Sequence, residues 1–318
     1  MKHIVVTGAN GFVGRALSGA LLEAGHAVTG LIRSDAQCID GVRRWVHARP
    51  DFDGLEQAWP TDVDADCVVH LAARVHVMRD TAADPLAIYR ATNVEGSLRV
   101  ARAAKARGAK RFVFVSSIKA VAERDGGVPL RESDPPRPED AYGRSKQEAE
   151  TALREFGART GLEIVIVRPP LVYGPGVRAN FLQLIRAIAG GIPLPLGAVA
   201  AQRSLVYVGN LVDALVACAI DPRAANECFH VADGRDLSVS ELAEAIGRHL
   251  HRRARLVPVP VAWLRAAGRL LGRADQVSRL VDGLRVDTAH LRATLGWNPP
   301  YTVDEGLAAT ANWYRATY

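Results

Sequence analysis

MKHIVVTGANGFVG, residues Met1 to Gly14, is the stretch on which the fold turns. Lys2 to Val6 is a short β-branched run suited to a buried strand. Thr7-Gly8 interrupts it. Glycines stand at Gly8, Gly11 and Gly14, and an amphipathic helix begins among them, with Phe12, Val13, Leu17, Leu21 and Leu22 as its apolar stripe. Strand, glycine turn and helix make the opening unit of a dinucleotide-binding fold. Gly8 permits a tight turn, Gly11 lets a pyrophosphate approach the backbone, and Gly14 lets helix and strand pack closely. The helix N-terminus then offers the anion free N–H groups and about half a positive charge. Gly8, Asn10, Gly11, Phe12, Val13 and Gly14 are the first candidate cofactor contacts; a purely structural turn is the alternative.

The alternation continues outward from this unit. Ala27 to Ile32, Cys67 to Leu71, Arg111 to Val115 and Glu163 to Val167 read as strands. Pro85 to Arg107 and Tyr142 to Thr160 read as helices, ended by Gly108 and Gly161. In the first of these, Ile88, Val94, Leu98 and Ala101 are expected to face inward. The β-α-β order implies a parallel sheet covered by helices on both faces. After Arg168 the pattern is broken by Pro169-Pro170, Pro175, Pro193 and Pro195. Leu205 to Val208 reads as a strand, Val212 to Ala219 as a helix, and Leu237 to Leu250 as a helix capped by Ser238 or Ser240. The expected organisation is α/β: a Rossmann domain over residues 1–168, with return segments near 204–232, and a smaller interleaved substrate domain over 169–318.

At 318 residues the chain can bury a large core in one or two domains. A hydrophobic share of 48% with 23% charged residues fits a soluble globular protein. No apolar run is long enough to span a bilayer, and the first residues form a strand instead of a signal peptide, so a cytoplasmic protein with no membrane partner is expected. Cys38, Cys67, Cys218 and Cys228 are scattered and read as reduced thiols, with no metal-ligand set. The net charge is +6. Its positive residues read as dispersed, with no basic block interleaved with aromatics, which argues against a nucleic-acid partner and suits an anionic substrate.

Ligands of such sheets bind at the carboxyl ends of the strands. Those ends are expected to carry Arg33, Asp51, Ala72, Ser117 and Pro169. The acidic residue that would hold an adenosine ribose hydroxyl after the second strand is missing; Ile32 takes its place and Arg33-Ser34 follow. A cation there suits a 2′-phosphate, so NADP is expected over NAD. Tyr142 and Lys146 stand four apart near the start of a helix, on one face. A phenol titrating near 10 needs a shift worth about 4 kcal/mol to exchange protons near pH 7. A lysine at about 4 Å in open water supplies only about 1 kcal/mol. The pair therefore requires a closed, poorly solvated site. Ser117 could hydrogen-bond the same substrate oxygen during proton transfer.

Here the chain resembles the extended short-chain dehydrogenase/reductases, the NAD-dependent epimerase/dehydratase group that acts on nucleotide sugars. The resemblance runs along essentially the whole chain. It rests on Thr7 to Gly14, His70-Leu71-Ala72-Ala73, Thr92-Asn93-Val94, Ser116-Ser117, Tyr142 to Lys146, Arg168-Pro169, Tyr173-Gly174-Pro175, Arg203 to Val208 and Leu295-Gly296-Trp297. It implies Ser117, Tyr142 and Lys146 as the catalytic set, with Lys146 also holding the nicotinamide ribose. It implies Asn93 as support for the lysine, Asp51-Phe52 as adenine neighbours, and Leu71, Ala72, Ala73 and Pro169 around the cofactor. For a nucleoside-diphosphate sugar it implies Asn180 and Phe181 near the nucleotide, Leu196 and Gly197 beside the base, and Arg203 and Arg279 on the diphosphate. These arginines could instead be solvated or pair with Asp213 and Asp282.

One departure stands out. Members of the family often read Ser-Ser-x-x-Val-Tyr-Gly after the fifth strand, where this chain has Ser116-Ser117-Ile118-Lys119-Ala120. That leaves open whether Ser116 or Ser117 acts, and whether Lys119 touches substrate. The variant resembles a bacterial subgroup linked to surface-polysaccharide sugars. The expected function is C4 oxidoreduction of a UDP-sugar, with NADPH-dependent reduction of a UDP-4-keto-6-deoxy-N-acetylhexosamine placed first because of Arg33. A UDP-glucose or UDP-N-acetylglucosamine 4-epimerase with tightly bound NAD is the alternative. Dehydration would need an added Asp-Glu pair that Ile118-Lys119 does not supply. A non-catalytic dinucleotide sensor is the alternative of another class, and retention of Tyr142 and Lys146 argues against it. A homodimer is expected from the family.

Overall fold

The computed structural model describes residues 1–34, 37–75 and 84–318, with the backbone alone at residue 275. The first strand β1 (His3–Thr7) leads through the glycine turn into α1 (Phe12–Glu23), followed by β2 (Ala27–Ile32), β3 (Arg43–Val46), α2 (Leu55–Ala58) and β4 (Cys67–His70). A long helix is built from α3 (Pro85–Arg90), a π-helical turn (Ala91–Glu95) and α4 (Gly96–Ala106). Then come β5 (Arg111–Val115), α5 (Ala141–Thr160) and β6 (Glu163–Arg168). The remainder holds β7 (Leu171–Tyr173), α6 (Ala179–Ala189), β8 (Gln202–Arg203), β9 (Leu205–Tyr207), α7 (Val208–Ile220), β10 (Cys228–His230), β11 (Leu237–Ser238) and α8 (Val239–His249). It closes with α9 (Val261–Leu270), α10 (Ala274–Val281), α11 (Ala289–Leu295) and α12 (Val303–Thr317).

The main sheet has the order β10-β6-β5-β4-β1-β2-β3, and every neighbouring pair is parallel. Alternate residues of β1 face opposite layers. Ile4 and Val6 join the core under α1 and α7, while Val5 joins the core under α4 and α5. Burial on both faces is why β1 reads as a continuous apolar run. A third core gathers α6, α8 and α12 around Phe181, Leu242 and Leu307. The strand order reverses between β1 and β4, which opens a crevice at their carboxyl ends.

The long helix keeps its expected inward face from the π turn onward, with Ala101 buried and Val94 and Leu98 packed against the same core, but loses it before the turn. Ile88 is 37% exposed, and Tyr89 turns inward in its place. The π turn at Ala91–Glu95 widens one coil by a residue and so rotates everything before it relative to α4. The helix read as beginning at Leu237 begins at Val239, and Ser238 is its cap, in a reciprocal capping box with Glu241. Asp51, expected at a strand end, lies beyond β3 in a turn, where Arg99 Nη1 bonds its carboxylate at 3.0 Å. Cys67, Cys218 and Cys228 are buried, and burial pushes each thiol up to about 12.

Candidate active site

The glycine turn has the shape of an anion cradle. Gly8 adopts a left-handed φ of +69°, and its N–H donates to Leu31 O at 2.8 Å. A Cβ added to Gly14 would stand 2.1 Å from Gly8 O and 2.8 Å from Ala9 Cα, so α1 can cross β1 this closely only with glycine there. A Cβ on Gly11 would meet only Gly8 O, at 3.1 Å. The α1 N-terminus has no side-chain cap and no acidic residue in its first turn. An open face, uncapped N–H donors and no competing carboxylate fit a pyrophosphate. Gly14→Ala is expected to cost about 2 kcal/mol of stability, because backbone has to move. It should also strip the bound nucleotide; urea unfolding and the absorbance of nucleotide released on denaturation check both.

Across the crevice, the end of β4 is fixed by a buried polar chain. Thr7 Oγ1 donates to His70 Nδ1 at 2.9 Å and accepts from the N–H groups of Leu71 and Ala72, each at 3.1 Å. Ser97 Oγ donates to Asn93 O at 2.6 Å, so His70 Nε2 must carry the proton that it shares with Ser97 at 3.1 Å. Burial and the nearby Lys146 push His70 down to about 3, which keeps it neutral. This chain holds Leu71, Ala72 and Ala73 beside the glycine turn. Asn93, in the π turn, bonds Arg74 N at 2.8 Å, Arg74 O at 3.1 Å and Ser145 Oγ at 2.9 Å. It therefore anchors α5 through Ser145, the neighbour of the lysine.

The three candidate catalytic residues come from two places. Ser117 follows β5, and Tyr142 and Lys146 lie in the first turns of α5. Asp140 caps that helix through Gly143 N at 2.7 Å. Gly143 is required there, since a Cβ would stand 2.4 Å from Lys119 O. The Tyr142 phenol meets Ser117, packs edge-on to Tyr89 with ring centroids 6.2 Å apart, and is pushed up to about 12 by burial and by Asp140. Lys146 is 1% exposed. Its Nζ donates to Val115 O at 2.7 Å and sits 4.0 Å over the Phe114 ring, and burial pushes it down to about 7. Spacing alone suggests an ammonium beside a phenol; here the ammonium is engaged by Val115 and Phe114, and the phenol by Ser117.

Ser116 donates to Glu150, which also holds Arg168 in a buried ion pair at 2.6 Å. Ser116 is thus committed to fixing α5 against β6, and Ser117 is the serine that faces the tyrosine. The Pro169 carbonyl accepts from Ile118 N at 3.0 Å and holds this serine turn.

The substrate candidates fall into two groups. Lys119 Nζ pairs with Asp140 at 2.7 Å and Glu123 at 3.0 Å. Arg279 of α10 reaches the same two carboxylates, at 3.5 and 3.3 Å. Arg203 donates to Asp282 O at 2.7 Å, and burial lowers its pKa. The Asp282 carboxylate is held by Arg265 instead, and Asp213 by Trp297. Lys119 and Arg279 thus share one pair of carboxylates, of which Asp140 also acts on Tyr142, and Arg203 lies within electrostatic reach of Glu123 and Arg279 in the same cluster. Asn180 is exposed at the start of α6, after Ala179 with φ +52°, while Phe181 stacks on Tyr173 in the core. Leu196 is buried against Val199, Val239 and Val281, and Gly197 packs on the Val257-Pro258 backbone. Phe52 is also core, edge-on to His70. Glu123 and Asp140 were not singled out from sequence; Asp140 directly before an amphipathic helix was the available signal.

Residues 4–232 match the model of the NAD dependent epimerase/dehydratase family. The chain belongs to that family. Over 316 residues, 98% of this chain and 94% of the relative, it is 42% identical to a UDP-glucose 4-epimerase of Vibrio cholerae. A solved UDP-glucose 4-epimerase of Thermus thermophilus, in complex with NAD, matches with a TM-score of 0.81 at 22% identity, covering 99% of this chain and all of that one. MoeE5 in complex with UDP-glucose and NAD matches at 0.79 and 25% identity, covering 99% of each chain. Family membership and the similarity to its enzymes make the chain an NAD-dependent enzyme of the epimerase and reductase kind. They overturn the expected preference for NADP, because these solved relatives hold NAD. The physical reason lies at Arg33: it is exposed beyond the end of β2, and one solvated guanidinium does not make a 2′-phosphate site.

Proposed function

We propose that this enzyme is an NAD-dependent 4-epimerase of UDP-sugars, with UDP-glucose or UDP-N-acetylglucosamine as substrate. The 42% identity to a UDP-glucose 4-epimerase over 98% of the chain carries this reading. The single-hydride reductase placed first from sequence leaned on Arg33 as an NADP marker, and that support is gone. In this reading residues 1–168, with the return near 204–232, hold the cofactor, and residues 169–318 hold the nucleotide sugar.

When bound, NAD supplies the acceptor and donor of the C4 hydride and, oxidised, a further positive charge. The glycine cradle holds its pyrophosphate, and Leu71, Ala72, Ala73 and Pro169 line its path. Tyr142 removes and returns the C4 hydroxyl proton, while Ser117 bonds the same oxygen and keeps it aligned. Lys146, freed from Val115 O, stabilises the phenolate and holds the nicotinamide ribose. Arg203 and Arg279 neutralise the diphosphate, with Asn180 and Gly197 towards the nucleotide. A homodimer through α4 and α5 completes the proposal.

Denaturing the purified protein and identifying the released nucleotide tests the cofactor. Incubation with UDP-glucose, with no nucleotide added, tests the reaction. Bound NAD and formation of UDP-galactose are expected. An empty protein that instead consumes reduced cofactor and returns no epimer overturns the proposal.

A further inference from the structure

The chain's positive charge is not dispersed, contrary to the first reading of its composition. Residues 245–274 contain seven arginines and no aspartate or glutamate. That segment carries +7 with histidines neutral, against +6 for the whole chain, so the rest is close to neutral. Its central element is α9. Val261 and Leu264 turn inward onto the cluster of Leu196, Val199, Val239 and Val281. The opposite face is apolar and exposed: Trp263 is 73% exposed, Leu270 88% and Leu271 72%. Positions 263, 266, 267 and 270 follow the helical repeat and hold Trp, Ala, Ala and Leu. Arg269 and Arg273 are exposed beside this stripe, and Arg252, Arg253 and Arg255 are exposed just before it. Arg265 turns back instead, onto the Asp282 carboxylate.

We propose that the α9 face docks on the surface of an anionic lipid bilayer. An exposed tryptophan with paired leucines suits the boundary between headgroups and acyl chains, where the indole ring keeps its N–H wet. The neighbouring arginines complement anionic headgroups, each adding attraction that salt screens. Trp263 is a single stacking platform for a base, and Leu270 and Leu271 beside it give a nucleic acid nothing to stack on or bond, so charge and apolar surface together favour lipid over RNA or DNA. No helix among the described residues is long and apolar enough to cross a membrane, so the contact would be peripheral.

The test uses the full chain and reads binding, which is independent of the proposed reaction. Co-sedimentation is measured with vesicles rich in phosphatidylglycerol and with vesicles of phosphatidylcholine alone. The protein is expected to pellet with the first and stay soluble with the second, and to be released as salt rises. The double variant Leu270→Gln/Leu271→Gln should bind about a hundredfold more weakly, with an unchanged unfolding midpoint. Arg269→Gln/Arg273→Gln should bind about tenfold more weakly. Failure to bind the anionic vesicles overturns the proposal, as does binding that both double variants retain. So does a dimer that Trp263→Ser dissolves, since a second copy then covers the face.

Discussion

Tyr142→Phe should lower epimerase turnover by about a thousandfold while leaving KM and bound NAD nearly unchanged. In the proposed reaction the phenol, hydrogen-bonded to Ser117, exchanges the proton of the sugar hydroxyl, and phenylalanine keeps its shape and its contact with Tyr89. In this structure the phenol stands at about 12. Bringing it to 7 takes about 7 kcal/mol. An ammonium at about 4 Å in an effective dielectric of about 20 contributes about 4 kcal/mol, leaving about 3 kcal/mol to other positive groups at the site. Asp140 works against this shift, and Lys119 and Arg279, paired to its carboxylate, offset it. Steady-state kinetics on UDP-glucose, with the NAD content of each preparation, check the prediction. A fall of less than tenfold would remove Tyr142 from the proton path.

Sequence periodicity was enough to find β1, β2, β5, β6 and α5, because long β-branched or amphipathic runs carry their own signal. It missed β3 and β10, although β4 and β9 are equally short and were found: β4 and β9 carry valines, whereas β3 opens on two exposed arginines and β10 reads Cys-Phe-His with no β-branched residue. It also missed the π turn, since one extra residue per coil leaves no mark in composition, and Ile88 was placed on the wrong face as a result. In the candidate site, the glycine turn and the Tyr142–Lys146 pair were legible because their spacing is their function. The direction of the lysine side chain was not: a four-residue spacing puts two residues on one face, but Val115 O and the Phe114 ring lie across the sheet in space. The cofactor preference failed for a related reason, because one arginine after a strand does not reveal whether it faces a ligand or water. The basic segment around α9 was averaged away by counting charge over the whole chain.

Lys146→Met should abolish turnover and, in the nucleotide-free protein below pH 7, raise stability. The lysine titrates near 10.5 when solvated, and burial pushes it down to about 7. Holding it charged in the folded state therefore costs about 5 kcal/mol at or below pH 7. Methionine loses the bond to Val115 O, about 1–2 kcal/mol, and the contact over Phe114, about 1 kcal/mol. A net gain of about 2 kcal/mol remains. Between pH 7 and 10.5 the unfolded chain binds more protons at this site than the folded one, so the wild type gains stability as pH rises. Near pH 10 the buried amine is neutral and its cost falls below about 1 kcal/mol, less than the hydrogen bond it keeps. The variant should then be the less stable of the two. Urea midpoints at pH 6 and pH 10 should cross, with the variant ahead at the lower pH. Equal midpoints at pH 6 would mean that this ammonium is not held against its solvation. A charge kept in such a place at a net loss to the fold is what a proton-transfer site requires, since the same poorly solvated setting that penalises the lysine strengthens its hold on a phenolate.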